Sequence, residues 1–388
     1  MQAPPSPTTS STAASTICAS RSTPANWPAC TAAPNCWAER ATHVFVHHPG
    51  WEALLQVALM FGVIWWMYGG YVWLTNEVAP NSSARRTWLL VGMSAFFVLA
   101  LAVPDAFHGT GIAFGVGYAL VTAIHTAMFA SAGGASAGLA IRRIGPLNAL
   151  SAALVLGGGF THPPVQYLLW AAAFAVQVLS PYLVDAGGFV VRASHFCERH
   201  GLVIIVALGE SIVALGVGLA DEPITVALMA MVALGLALAY VLWWAYFGFD
   251  DERGEHALAA RPAVERVRPA LVAYDYAYYP MLIGVILTSA GIALSIAHGG
   301  EPVGWGAAAA LSGGVALYFA GQAWFRTTLR LTGARSRLLG AVVVAATTPI
   351  GVYTMAWAQL AALVALAYAA VIADDRRILR AGHHSVYA

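Results

Sequence analysis

The sequence of 388 residues contains no lysine, and charged residues of all kinds make up only 10% of it. Soluble domains carry about 25% charged residues, so the composition argues against a water-soluble fold. The net charge of +1 provides no basic surface of the kind that binds nucleic acid, and we expect no nucleic-acid partner. The four cysteines include no CxxC pair, which indicates neither a zinc site nor a disulfide framework.

Signs of catalysis are also scarce. The chain has no HExxH motif and no pair of intramembrane aspartates at a recognisable spacing. We therefore expect that the protein is not an enzyme and that it holds no metal and no cofactor. An intramembrane enzyme is the weakest of the functions considered below.

Hydrophobic residues make up 59% of the chain and recur in runs of about 20 residues. As a helix, such a run crosses a hydrocarbon core of about 30 Å. The runs lie at 52–74, 87–104, 110–131, 145–160, 164–184, 200–219, 224–248, 271–297, 303–325, 337–350 and 353–373. They predict an all-α polytopic transmembrane helical bundle of about 11 spans, although residues 337–373 could instead form a re-entrant hairpin.

Every arginine after residue 50 falls in, or at the edge of, alternate loops or the tail. These segments are 75–86, 132–144, 185–199, 249–270, 326–336 and the residues after 373, whereas the intervening loops have none. By the positive-inside rule these segments are cytoplasmic. We therefore expect a multi-pass protein of the bacterial cytoplasmic membrane, in contact with the lipid bilayer, with a cytoplasmic C-terminus. The sequence does not indicate an oligomeric state.

Two aromatic motifs suggest an internal repeat. The motif at 65–71, WWMYGGY, matches the motif at 243–249, WWAYFGF, and both end a helix that runs in the same direction. The match favours two parallel six-helix halves, a layout found in transporters, with the first helix of the first repeat missing. The alternative is that aromatic residues collect at membrane interfaces in any case.

The run HFCERHGLVIIVALGES at 195–211 is the most distinctive stretch. It resembles the signature of the bacterial low temperature requirement A (LtrA) family of membrane proteins. Three further strings fit the same family, namely WWMYGGYVWLTN at 65–76, VPDAF at 103–107 and WWAYFGFDDE at 243–252. The resemblance covers roughly residues 41–372 and implies fold and location rather than chemistry.

The resemblance also divides the chain. We expect a disordered or aberrant N-terminal tail at 1–42, a transmembrane LtrA-like domain at 43–373 and a cytoplasmic tail at 374–388. The family's first span, with its E-x-F-x-D-L-x-F-V-like motif, is absent here. Our hypothesis is a truncated or frame-shifted start that has lost this helix.

Glu210 is the acid around which the sequence is interpreted. It lies about 15 Å along a helix from His200, near the middle of the bilayer. A carboxylate there costs about 2.5–3.5 kcal/mol on insertion scales, so it needs a partner, water or a proton. It is either a proton, cation or substrate site, or a protonated acid that bonds a neighbouring helix.

Other polar residues could extend a substrate or proton pathway from Glu210. The candidates are His195, Glu198, Arg199, His125, Asp105, Asp185 and Asp275. His125, deep in its helix, is the best placed to meet an acid across the bundle. Each of the others could equally be an interfacial or helix-end residue.

Three features favour a transporter or permease-like protein: the acid near the middle of the bilayer, the many spans and the possible repeat. Such a protein would move a small molecule or ion and couple to protons through Glu210. The alternative is a membrane sensor or structural protein needed for growth at low temperature, as the family name implies.

Overall fold

The computed structural model describes residues 41–42, 44–46, 49–77, 82–132, 135–184, 189, 191–218 and 223–386. The side chains of residues 132, 135–137, 210–211, 213–218 and 381–386 lie outside the described part of the chain. Almost all of the predicted N-terminal tail, residues 1–42, also lies outside it.

All regular structure in the described residues is helical, which confirms the predicted fold class. The helices are α1 Trp51–Glu77, α2 Ser83–Ala102, α3 Gly111–Ala132, α4 Ala135–Gly159, α5 Val165–Leu183, α6 Ala193–Gly218, α7 Val226–Phe247, α8 Asp250–Ala259, α9 Val267–His298, α10 Trp305–Leu329, α11 Ala334–Ala345, α12 Thr348–Tyr353 and α13 Ala356–Val386. Helix α9 contains a π-helical segment at Leu271–Tyr276, a feature that is frequent at functional sites.

Eight helical stretches in the described part of the chain are long and apolar enough to cross a membrane. They are Trp51–Glu77, Ser83–Asp105, Gly111–Ser131, Gly138–Gly159, Val226–Ala259, Val267–His298, Ala334–Tyr353 and Ala356–Arg380. The other three predicted runs coincide with α5, α6 and α10, which do not meet the same requirement over their described residues. The structure therefore does not confirm the predicted count of eleven spans.

Helix α1 lies between two hydrophobic cores. Phe61 and Trp65 belong to a core shared with helices from α6 to α13. Val63 and Met67 belong to a second core shared with α2 to α5. Polar groups that approach α1 from either side therefore meet at the junction of the two cores.

The order in which neighbouring helices pack is the same in the first part of the bundle, α1 to α5, and in the second part, α7 to α13. Helices α2, α3, α4 and α5 pack in succession, and α1 contacts both α3 and α5. In the second part α9, α10 and α11 pack in succession, α13 contacts α11, and α7 contacts both α10 and α13. A parallel repeat of six helices requires this neighbour pattern, and the repeat remains a prediction.

Helices α9 and α10 approach each other closely through glycines. A Cβ atom added at Gly284 would lie 2.6 Å from the Gly314 carbonyl oxygen, and one at Gly314 would lie 2.6 Å from the Thr288 backbone nitrogen. Small residues are favoured at helix crossings in membranes because association there depends on close packing. This crossing holds α9, which carries Asp275, against the rest of its core.

Candidate functional site

Asp275 lies in the π-helical segment of α9 and is 5% exposed. Two indoles of α1 bind it. Trp73 Nε1 donates to Asp275 Oδ2 at 3.0 Å, and Trp65 Nε1 donates to the Asp275 carbonyl oxygen at 2.7 Å. The acid is therefore fixed at the junction of the two cores.

His200, on α6, is fully buried beside this acid. Its Nδ1 lies 2.9 Å from the Phe196 carbonyl oxygen, so Nδ1 carries the proton in the neutral ring. Its Nε2 lies 3.8 Å from Asp275 Oδ1 and has no hydrogen-bond partner among the residues that the structure describes. When Asp275 is ionised, two acceptor atoms face each other, and one added proton would turn one of them into a donor.

Aromatic rings surround the His200 imidazole. The ring centroids of Phe196, Tyr274, Tyr278 and Trp65 lie 4.5, 5.2, 5.5 and 6.0 Å from the imidazole centroid. An unpaired charge is costly in such a setting. A charge on either member of the His200–Asp275 pair therefore needs a partner close by.

A cavity of about 90 Å³ lies beside the pair. Its wall is mostly apolar and includes four aromatic and four polar side chains: Trp66, Trp73, Phe129, Phe189, His125, Asn148, Ser180 and Asp275. One water molecule needs about 10–15 Å³ on this measure. The cavity therefore has room for several waters or a small ligand.

His125, on α3, is 4% exposed. Its Nε2 lies 3.0 Å from the Gly70 carbonyl oxygen and must be the donor there. Its Nδ1 is then an acceptor, and it has no hydrogen-bond partner among the described residues. His125 and Asp275 line the same cavity, and a contact of His125 with an acid stays a prediction.

Four other predicted pathway residues lie elsewhere. Asp105 is exposed, and its carbonyl oxygen accepts three backbone N–H bonds where the helical segment ends. Glu198 and Arg199 are exposed near the start of α6, and His195 is partly buried there. None of the four lines the cavity.

The two remaining candidates are not tested. The backbone of Glu210 is part of helix α6, but the structure does not describe its side chain. Asp185 lies wholly outside them. The role predicted for each therefore rests on the sequence.

A buried ion network lies at the end of α10. Arg326, which is 1% exposed, donates from Nε to both carboxylate oxygens of Asp250, at 3.0 and 2.8 Å, and from Nη1 to Asp374. Arg337 Nε lies 3.4 Å from an Asp374 oxygen, and its Nη2 donates to the Ala245 carbonyl oxygen at 3.1 Å. The network links α8, α10, α11 and α13.

Neither His200 nor this network is predicted from the sequence. A histidine at a helix end is usually interfacial. Asp250, Arg326 and Asp374 fall in segments assigned to loops and to the tail, and Arg337 is the first residue of a predicted run. The predicted tail begins at residue 374; helix α13 extends across that position, and Asp374 is bonded to Arg326. Oppositely charged residues at the ends of several apolar runs are the signal that could have indicated the network.

The described residues contain no group of three His, Cys, Asp or Glu side chains placed to hold a metal ion, and no metal site is proposed.

Comparison with known proteins adds the family. The chain is 27% identical over 286 residues to the Uncharacterized protein RA0937 of Rhizobium meliloti (strain 1021), a match that covers 70% of this chain and 69% of that protein. No solved structure matches. The family model described as Bacterial low temperature requirement A protein (LtrA) matches residues 38–372. Because this match covers most of the sequence, the chain belongs to the bacterial low temperature requirement A family.

Proposed function

We propose that this integral membrane protein is a transporter or permease-like protein that couples the movement of a small molecule or ion to protons. One observation supports the proposal above the others. The buried Nε2 of His200 and Oδ1 of Asp275 lie 3.8 Å apart, and in the described part of the chain Nε2 has no hydrogen-bond partner. The pair therefore has a place for one exchangeable proton beside a cavity.

Binding of that proton changes the charge that the cavity presents. With the proton bound, Asp275 is neutral or is paired with an imidazolium. Without it, the Asp275 carboxylate is negatively charged and accepts a hydrogen bond from the Trp73 indole. A cavity whose charge depends on one proton is suited to coupled transport.

Glu210 completes the proposal as a second proton site. It lies about 15 Å along α6 from His200, so one helix would carry both proton-binding groups. We further propose that the arginine-bearing loops and the C-terminus are cytoplasmic, since every arginine after residue 50 falls in that set of segments.

We propose no enzymatic activity. One string, GASAG at 134–138, has the spacing of a serine nucleophile motif. That motif needs a strand followed by a turn and a helix, whereas residues 135–138 of this string lie in the first turn of α4, which follows helix α3 in the chain.

Proton coupling can be tested in inside-out membrane vesicles that contain the full chain. Respiration acidifies the vesicle interior, and the fluorescence of an acridine dye reports the pH gradient. Amines, amino acids, carboxylic acids, sugars and monovalent cations are added one class at a time. We expect at least one class to dissipate the gradient beyond its effect on vesicles that lack the protein.

Variants assign the effect to the site. Asp275→Asn keeps an acceptor for Trp73 but loses the charge, and it should abolish the added dissipation; Glu210→Gln should weaken it. Glu301→Gln is the matched control, because Glu301 is exposed in the turn after α9. Failure of every solute class, or equal dissipation with all three variants, would contradict the proposal.

A role in growth at low temperature is the second candidate, and the family description favours it. A deletion strain should then grow poorly in the cold. Complementation by Asp275→Asn separates the two functions, since a sensor or structural protein that makes no use of this carboxylate would still restore growth.

A further inference from the structure

The cavity beside Asp275 offers hydrogen-bond acceptors. The Asp275 carboxylate and the unpaired Nδ1 of His125 both belong to residues of its wall. Two potential donors of the wall are already engaged, because Trp73 donates to Asp275 and Ser180 donates to the Gln177 carbonyl oxygen. The wall therefore offers two acceptors to a ligand that donates hydrogen bonds, together with the Trp66 indole, which donates, and the Asn148 amide, which can both donate and accept.

The charge and the aromatic content of the wall point in the same direction. Asp275 is the only charged side chain among the described residues that line the cavity. Trp66, Trp73, Phe129 and Phe189 lie on the same wall. Cations are attracted to aromatic faces, most strongly when water is excluded. A carboxylate among indole and phenyl rings is thus complementary to a positive charge.

We propose that this cavity binds a small protonated amine and that such amines are the substrate class. The proposal rests on the transport function proposed above. The ammonium group donates N–H bonds to the Asp275 carboxylate and to His125 Nδ1, while its short alkyl part contacts the aromatic wall.

The same carboxylate serves both the amine and the proton. When the proton between His200 and Asp275 leaves to water, Asp275 presents a full negative charge to the cavity and the ammonium ion binds. When the proton returns, the carboxylate is neutralised and the ammonium ion is released. This competition gives exchange of one amine cation for one proton.

Three arginines adjoin lining residues in the sequence, namely Arg142, Arg143 and Arg268. All three are exposed, where solvent and salt screen their charges. Asp275 is buried, and its charge is screened far less. The buried carboxylate therefore determines which charge the cavity accepts.

Calorimetric titration of the purified full chain in lipid nanodiscs tests the site without any measurement of flux. The probes are propylammonium, tetramethylammonium, which is charged but has no N–H donor, and the uncharged 1-propanol. We expect saturable binding of propylammonium, binding of tetramethylammonium weaker by at least about tenfold because its hydrogen bonds are lost, and no saturable binding of 1-propanol.

Four variants locate the site. Asp275→Asn should weaken propylammonium binding at least about tenfold, because the ammonium N–H then meets a neutral acceptor in place of a charged one. His125→Phe keeps a ring but no acceptor, and it should reduce the preference for propylammonium over tetramethylammonium. Trp66→Leu should weaken the binding of both propylammonium and tetramethylammonium. Trp305→Leu, at an exposed tryptophan in contact with Tyr353, should change the binding of neither cation. If Asp275→Asn does not elute as a folded protein in size-exclusion chromatography, the comparison of Trp66→Leu with Trp305→Leu decides the result.

Several outcomes overturn the inference. They are equal binding of 1-propanol and propylammonium, unchanged affinity in Asp275→Asn, and equal affinities in the two tryptophan variants. Failure of this site is distinct from failure of transport. If propylammonium binds but does not dissipate a proton gradient, the amine site is supported and the transport function is contradicted. If other solutes dissipate the gradient and no amine binds, the transport function is supported and the amine site is contradicted.

Discussion

Asp275 and Glu210 are both acids in apolar helices, yet their surroundings cannot be told apart from the sequence. In the structure Asp275 accepts a hydrogen bond from Trp73 and faces Nε2 of His200. The space for its carboxylate comes from Gly69, where an added Cβ would lie 2.4 Å from Asp275 Oδ1. One glycine of α1 therefore determines where the carboxylate of α9 can lie.

The substitution Gly69→Ala tests this position. The new methyl group should push the carboxylate away from His200 and reduce proton-coupled dissipation in vesicles by at least about tenfold, since misplacement of about 1 Å at a working site is costly. Gly157→Ala is the control, because an added Cβ there meets nothing within 4 Å. Equal activity of the two variants would show that the carboxylate is not held as proposed.

At the scale of elements, α9 combines an irregular segment with a tightly packed one. Its π-helical segment at Leu271–Tyr276 carries Asp275. Its following turns pack against α10 through Gly284, Gly291 and Gly314. The regular, close crossing fixes the helix, and the irregular segment presents the acid and its carbonyl to α1.

Neighbouring glycines in α10 provide a matched test of that crossing. Gly314→Ala places a Cβ 2.6 Å from Thr288 backbone nitrogen and should cost about 1–3 kcal/mol by overpacking, which lowers the thermal unfolding midpoint in detergent. Gly313→Ala meets nothing within 4 Å and should be neutral or slightly stabilising, since alanine favours helix. A similar midpoint for both variants would count against a close crossing.

At the scale of the whole molecule, the ion network joins segments far apart in the chain. Arg326 binds Asp250, 76 positions away, and Asp374, 48 positions away. Buried ion pairs of this kind are costly to desolvate, and substitution of one partner leaves the charge of the other partner unpaired. The network therefore fixes which helix ends come together more than it adds net stability.

Arg326→Leu should destabilise the protein by about 3–5 kcal/mol, because two buried carboxylates lose their shared partner. Chemical denaturation in detergent measures this loss. Adding Asp250→Asn to the same chain should cost less than the two single changes together, because the two residues are in direct contact. Arg335→Leu, at an exposed arginine, is the control, and an equal loss there would contradict the assignment.

Orientation is also a property of the whole molecule. A green fluorescent protein fused after residue 388 should fluoresce in a bacterial host, since it folds on the cytoplasmic side, where the arginine-bearing segments are expected. A periplasmic alkaline phosphatase fused at the same place should be inactive. The reverse pair of results would overturn the predicted topology.

Much of the fold follows from the sequence alone. Apolar runs of bilayer length predict helices and the membrane, and strings such as VPDAF at 103–107 indicate the family. These features are local, since length, periodicity and composition are read within one segment. The span count is less secure because a run such as α5 is only 19 residues long, close to the lower limit for a crossing.

The candidate site could not be predicted from local sequence features, because it depends on contacts between segments that are distant in the chain. His200 and Asp275 meet only when α6 packs beside α9, and His125, on α3, lines the same cavity as Asp275 only in the folded bundle. A hydrogen bond or a buried ion pair requires atoms a few ångströms apart, and no local pattern of residues fixes such a distance. The sequence by itself determined that the chain is a bundle of membrane helices with acids inside them. Tertiary packing alone decided which acid has a histidine beside it.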